Sequence, residues 1–199
     1  SCMNFPNTHN LWGGITPNRY LSDADVVLIV DCDVPYIPAD VTPQDDAQIF
    51  WIDMDPLKSN IPLFTFPADL RIQANSADAL PVLVSSVRDA LSADDIQAHE
   101  ERTGILAQLH GQRRAEMEDV ALEKCTLRPI APEWLTYCID QALDPETIVL
   151  DETVTNLRFS ATILERKVPG TWFTSGGASL GWALGAAVGV KLAAPDRQV

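Results

Sequence analysis

Apolar and polar positions along this chain change rhythm several times, and each change marks an element. Residues 24–31 read ADVVLIVD, a continuous β-branched run of the kind expected for a parallel strand covered on both faces. The stretch IFWIDMD, residues 49–55, repeats that pattern and predicts a second strand. From Asp78 to Leu91 the apolar residues Leu80, Leu83, Val84, Val87 and Leu91 fall at helical spacing, with Asp78 suited to the positive first turn. Residues 92–127 are charged and weakly amphipathic, with sparse apolar positions at Ile96, Ile105, Leu109 and Met117, and predict a helical connector on a surface. Beyond it, Pro132 stands near a predicted helix start, and Trp134, Leu135, Cys138, Ile139 and Leu143 form a stripe expected to be buried. TIVLDE, residues 147–152, and GTWFTS, residues 170–175, read as short strands. An apolar helix rich in small residues, Gly181 to Ala194, follows and is expected to pack tightly on a sheet.

Strands alternating with helices predict an α/β fold with parallel sheets. Three stretches follow from the pattern: residues 1–91, Rossmann-like in texture; residues 92–127, the helical connector; and residues 128–199, the start of a second α/β parallel-sheet domain. Ligands of open parallel sheets bind beyond the carboxyl ends of strands. Attention therefore falls on Asp151 to Asn156 after one predicted strand, and on Gly176 to Gly181 after the next. The Thr153 and Thr155 hydroxyls suit a diphosphate, although Asp, Thr and Asn there are equally ordinary capping residues. Gly176 and Gly177 let backbone approach a ligand closely or simply turn the chain.

Composition narrows the partners. The formal net charge is −14, from 28 acidic against 14 basic residues, and such a surface repels nucleic acid and anionic lipid. The four cysteines, Cys2, Cys32, Cys125 and Cys138, form no CxxC pair and, with three histidines, no zinc spacing. Reduced thiols point to an intracellular compartment, cytoplasmic or organellar. No apolar run of about 18 residues exists to span a bilayer, and no start resembling a signal peptide is present. Neither a GKS/T phosphate loop nor a GxGxxG occurs.

Three ordered segments, NFPNTHN (residues 4–10), ADVVLIVDCDVPYIP (24–38) and WIDMDPLKSNIPLFTFPADL (51–70), together with PGTWFTSGGASLGWALGAAVGVKLAAPDRQV (169–199), resemble the thiamine diphosphate-dependent enzymes of the acetolactate synthase and benzoylformate decarboxylase group. The likeness covers the chain except the connector. It implies the later part of a central domain followed by the opening of the diphosphate-binding domain. The pyrimidine-binding domain with its catalytic Glu would precede these residues, and the GDG motif and later Asn that hold magnesium would follow Val199. A fragment of that kind is expected to be inactive alone.

The resemblance also implies roles. Thr153 and Thr155 would contact the diphosphate, with Gly176, Gly177 and Ser179 in the cradle. The Ala178 carbonyl would accept from the aminopyrimidine, and Leu180 would support the bent cofactor. The magnesium ligands would lie outside this chain. In the first stretch Asp53 and Asp55 are candidates for a ribose hydroxyl, since the central domain binds FAD in some relatives and ADP in others; the alternative is a strand end and cap. The chemistry implied is attack of thiazolium C2 on the keto carbon of a small-molecule 2-oxo acid with loss of carbon dioxide, then protonation or addition to a second carbonyl compound. DVPYIP and DMDPLKSNIP look closest to the synthase-like branch, which favours a carboligase, and the intact enzyme would be a homodimer or homotetramer. The competing reading is a non-catalytic ADP- or FAD-binding or assembly module of the same fold. Departures are few: Gly185 stands where many relatives have Pro, a difference in helix packing rather than chemistry. His9 and Tyr36 are weaker candidates, for a substrate pocket and a domain interface.

Overall fold

A computed structural model describes residues 5–62, 66–175 and 180–199. The chain forms two compact units, residues 16–100 and residues 101–199 together with the segment ending at Ile15. That partition differs from the three stretches expected, because the opening segment belongs with the later residues. Asn7, fully buried, is the reason: its amide donates to the carbonyls of Ala161 (3.1 Å) and Leu164 (2.7 Å), and the Arg166 N–H donates to its Oδ1 (2.9 Å). Trp12 adds an edge-on ring contact with buried His110, centroids 6.2 Å apart.

In the unit of residues 16–100, β1 (Val26–Val30), β2 (Gln48–Asp53) and β3 (Leu70–Gln73) form a parallel sheet in that order. Leu28 is paired with Phe50, and Phe50 with Leu70. One face carries the core, Ile29, Ile49 and Trp51 with Val27, Phe66 and Ala68 against them, and the Arg71 guanidinium lies over the Trp51 ring. The other face is open at Val26, Leu28, Leu70 and Ile72, all exposed. The continuous apolar run of β1 predicted cover on both faces; on the second, Ile52 is buried and Phe50 partly so, but Val26 and Leu28 of β1 are exposed. Helix α1 (Ser76–Ala90) starts directly after β3, where Asn75 Oδ1 accepts the Ala77 N–H (2.9 Å) as an N-cap. Its apolar stripe is at most half-buried, with Val84 and Val87 exposed.

Helix α2 (Ala93–Glu123) matches the predicted connector and opens with a reciprocal cap. The Asp95 N–H donates to Ser92 Oγ (3.2 Å), and the Ser92 N–H donates to Asp95 Oδ2 (3.0 Å). In the later unit α3 (Pro132–Ala142) begins at the expected proline. Its stripe, however, is not buried: Leu135 and Ile139 are exposed, and the one buried residue of the helix is Thr136. Strands β4 (Val149–Asp151) and β5 (Trp172–Thr174) pair in parallel, joined through the short α4 (Leu157–Ile163). Ile148, Ala161, Ile163, Leu164 and Trp172 fill the space around them.

Helix α5 (Trp182–Ala193) corrects another expectation, since it buries no residue. Leu184 and Leu192 are 81% and 78% exposed, and the opposite face, Trp182, Ala183, Ala186, Ala187 and Val190, is only partly buried. Polar ties at its two ends add to that shallow packing. At the C-terminal side the Ile148 N–H donates to the Gln198 carbonyl (2.9 Å), Thr147 Oγ1 donates to Gln198 Oε1 (2.9 Å), and Arg197 Nε donates to the Glu146 carbonyl (3.0 Å). No helix among the described residues is long and apolar enough to cross a membrane.

Candidate functional site

The parallel register of β4 and β5 sets Asp151 beside Thr174, so both strands end at the same edge. That is the edge where open parallel sheets hold ligands. The loop after β4 is organised by Asp151, which is buried. Its Oδ1 accepts from the Thr153 N–H (2.8 Å) and from Thr153 Oγ1 (2.5 Å), and its Oδ2 accepts from Ser160 Oγ of α4. The two threonines therefore differ. Thr153 gives its hydroxyl proton to Asp151, whereas Thr155 is exposed and its hydroxyl has no partner among the described residues.

From the neighbouring loop, Gly176, Gly177, Ala178 and Ser179 lie outside the described residues. Leu180 and Gly181 are described. Leu180 is 80% exposed at the head of α5, which separates it from an ordinary core leucine and leaves its side chain available to a ligand. Gly181 takes φ 92°, a left-handed conformation that favours glycine. It is the N-cap of α5 and has no side chain to satisfy the first N–H groups of the helix.

Glu152 supplies what Gly181 cannot. Its Oε1 accepts the Trp182 N–H (2.8 Å) and its Oε2 the Ala183 N–H (3.1 Å). These backbone donors hold the Glu152 carboxyl below the usual glutamate range. Glu152 thus ties the loop after β4 to the first turn of α5. Glu152 lies within the stretch Asp151 to Asn156 noted in the sequence but was assigned no role there, although a signal existed: an acid directly after a strand, and a helix that opens on a glycine without a capping side chain.

At the corresponding edge of the first sheet, Asp53 is committed within the protein. Its Oδ2 lies 2.7 Å from Lys58 Nζ and its Oδ1 accepts the Asp55 N–H (2.8 Å). Burial alone would raise its carboxyl, but these partners hold it below the usual aspartate range. Asp55 is exposed and accepts the Lys58 N–H (3.2 Å). The pair ends β2 and shapes the following turn. His9 is exposed, its Nδ1 accepting the Leu11 N–H (3.1 Å), and Tyr36 is buried against Phe66. Among the described residues no cluster of His, Cys, Asp or Glu stands ready for a metal, and Cys32, Cys125 and Cys138 are unbridged.

Two small parallel sheets separated by helices define an α/β protein. Residues 153–199, which run from the loop after β4 through α5, match the model of the thiamine pyrophosphate enzyme C-terminal TPP binding domain. Over 98% of its length the chain is 26% identical to benzoylformate decarboxylase of Pseudomonas aeruginosa, covering 34% of that protein. A solved structure from Mycobacterium smegmatis, described as a candidate thiamin diphosphate-dependent enzyme, superposes with a TM-score of 0.60 at 18% identity, over 98% of this chain and 36% of the other, a likeness of fold. The chain is thus similar to thiamine diphosphate-dependent enzymes, with benzoylformate decarboxylase among the proteins it resembles. It spans about a third of the length of the relatives it matches.

The donor set suits that cofactor. An exposed, unengaged threonine hydroxyl next to Asn156 offers hydrogen bonds to a diphosphate, and an exposed leucine at the head of α5 offers apolar contact to rings.

Proposed function

We propose that this chain carries the opening of the cofactor site of a thiamine diphosphate-dependent enzyme acting on a small 2-oxo acid. The observation that carries the reading is the pairing of Asp151 with Thr174, which ends both strands at one edge of a parallel sheet, the edge where open α/β sheets hold ligands. Bound there, the cofactor would supply an acidic thiazolium carbon that adds to a keto group and accepts the electrons released with carbon dioxide. The chain's own part is binding and orientation. Thr155 donates to the diphosphate, Thr153 is kept in place by Asp151 and holds the loop in shape, and Leu180 presses on the apolar side of the cofactor. The resemblance would add the Ala178 carbonyl as acceptor for the aminopyrimidine and Gly176, Gly177 and Ser179 as part of the cradle, all four outside the described residues. A magnesium ion would neutralise charge on the diphosphate, and among the described residues no ligand cluster is assigned to it.

The finer reading is an acetolactate synthase-like carboligase, working as a homodimer or homotetramer. Its support is the character of the DVPYIP and DMDPLKSNIP segments. The test is a titration of the protein in its full natural length with thiamine diphosphate and magnesium, followed by incubation with pyruvate and with benzoylformate. Saturable cofactor binding with carbon dioxide release supports the reading. Acetolactate from pyruvate separates carboligation from simple decarboxylation, and sedimentation gives the assembly. Absence of cofactor binding by the full-length protein refutes the proposal.

A further inference from the structure

We propose that Glu152 is a positioning residue of the cofactor site, a carboxylate clamp that fixes the head of α5, and with it Leu180, against the loop carrying Thr153 and Thr155. The inference rests on the cofactor reading above and adds a residue to it. Three observations converge. Glu152 holds the first turn of α5 with both carboxylate oxygens, at 2.8 Å from the Trp182 nitrogen and 3.1 Å from that of Ala183. The helix so held has only a partly buried face, Trp182, Ala183, Ala186, Ala187 and Val190, and no fully buried residue, so the contact at its head adds to a shallow packing. Its N-cap is Gly181, which provides no side-chain acceptor of its own.

Two consequences follow from charge and geometry. A carboxylate at a helix N-terminus is favoured by the helix dipole, and a two-pronged contact also sets the angle at which the helix leaves the loop. Leu180 sits two residues before Trp182, so a swing of the first turn carries Leu180 with it. Because Glu152 directly precedes Thr153, one rigid stretch of backbone then controls both the diphosphate side and the ring side of the site. Misplacement of a reacting group by about 1 Å costs roughly a hundredfold in rate, so a clamp of this kind acts on turnover more than on binding.

The test compares Glu152→Ala and Glu152→Gln with wild type in the full-length protein. Hydrogen exchange at the Trp182 and Ala183 amides is measured without cofactor. Thiamine diphosphate affinity is then titrated with magnesium present, and kcat and KM for the 2-oxo acid are measured at saturating cofactor. For Glu152→Ala, exchange at the two amides rises about tenfold or more, as expected for loss of their acceptors. At saturating cofactor kcat falls about a hundredfold while KM changes little. Glu152→Gln keeps one acceptor oxygen and lies between, a grading that nonspecific loss of fold does not produce. Unchanged exchange in Glu152→Ala overturns the clamp. Faster exchange with wild-type kcat overturns the positioning role and leaves a structural cap. Wild-type protein that takes up no thiamine diphosphate overturns the cofactor reading and this role with it, while the exchange data still report on the clamp.

Discussion

Lys58 Nζ and Asp53 Oδ2 lie 2.7 Å apart, both residues buried, at the turn that follows β2. Asp33, on the loop after β1, takes a second contact from the same ammonium at 2.8 Å and is itself exposed. Lys58→Met would strand the Asp53 carboxylate in a dry setting, and the expected loss is about 3 kcal/mol. Urea denaturation followed by Trp51 fluorescence reads it. Adding Asp53→Asn to that variant should restore much of the loss, because the stranded charge is gone. The pH dependence has two sides. Asp53 is depressed, so its contribution is complete above the unfolded aspartate value of about 3.9 and fades as pH falls through the lower folded value. For Lys58, burial works against the charge, but Asp33 and Asp53 raise its pKa overall. Its contribution is complete below the unfolded lysine value of about 10.4 and fades as pH climbs past the folded one.

Thr153 and Thr155 should separate cleanly on substitution. Thr155→Val removes an exposed hydroxyl, so stability should stay within about 0.5 kcal/mol of wild type while thiamine diphosphate affinity drops about tenfold. Thr153→Val breaks the contact with buried Asp151 and should lower stability by about 1 to 3 kcal/mol. Calorimetric titration and thermal melts on the full-length protein give both numbers. Equal effects of the two changes on affinity would remove the distinction.

Leu180→Ala should lower turnover much more than cofactor affinity. A buried leucine cut to alanine costs about 2 to 5 kcal/mol of stability, but Leu180 is 80% exposed. Its loss should therefore leave the melting temperature nearly unchanged, and any fall in kcat reports on the site. Wild-type turnover in a folded, cofactor-saturated variant would dismiss Leu180 from it.

Asn7→Ala should destabilise the later unit by about 3 kcal/mol. Two carbonyls, of Ala161 and Leu164, and the Arg166 N–H would lose their partner in a buried place. The midpoint of chemical denaturation, monitored on Trp172, is the measurement. A change below about 0.5 kcal/mol would mean that water replaces the amide.

The strand runs were legible because a parallel sheet asks for consecutive apolar residues, and β1, β2, β4 and β5 all meet that demand. Pro132 and the small-residue run after Gly181 marked helices for similarly local reasons. Burial was less legible. The spacing of Leu135 and Ile139, or of Leu184 and Val188, identifies a helix face but does not say what lies opposite, and in these units that face is exposed. The role of Asn7 was invisible, since nothing local signals a partner 159 positions away. At the site, threonines and glycines drew attention through their chemistry, whereas Glu152 acts on backbone N–H groups of a distant helix, a relation that exists only once the chain is folded.

The contact between Asn7 and Arg166 also orders events in time. Residues near the start of the chain leave the ribosome long before their partners on the far side of α4 exist, so the later unit cannot close until synthesis has passed residue 166. Loop entropy adds little to this delay: lengthening a closure from about 20 to about 160 residues, three doublings, costs roughly 2 kcal/mol. If residues 16–100 fold in the interval, they shorten the loop that remains and lower even that cost. The intervening unit would then act as an internal spacer, made first, that hands the opening segment to a site built last.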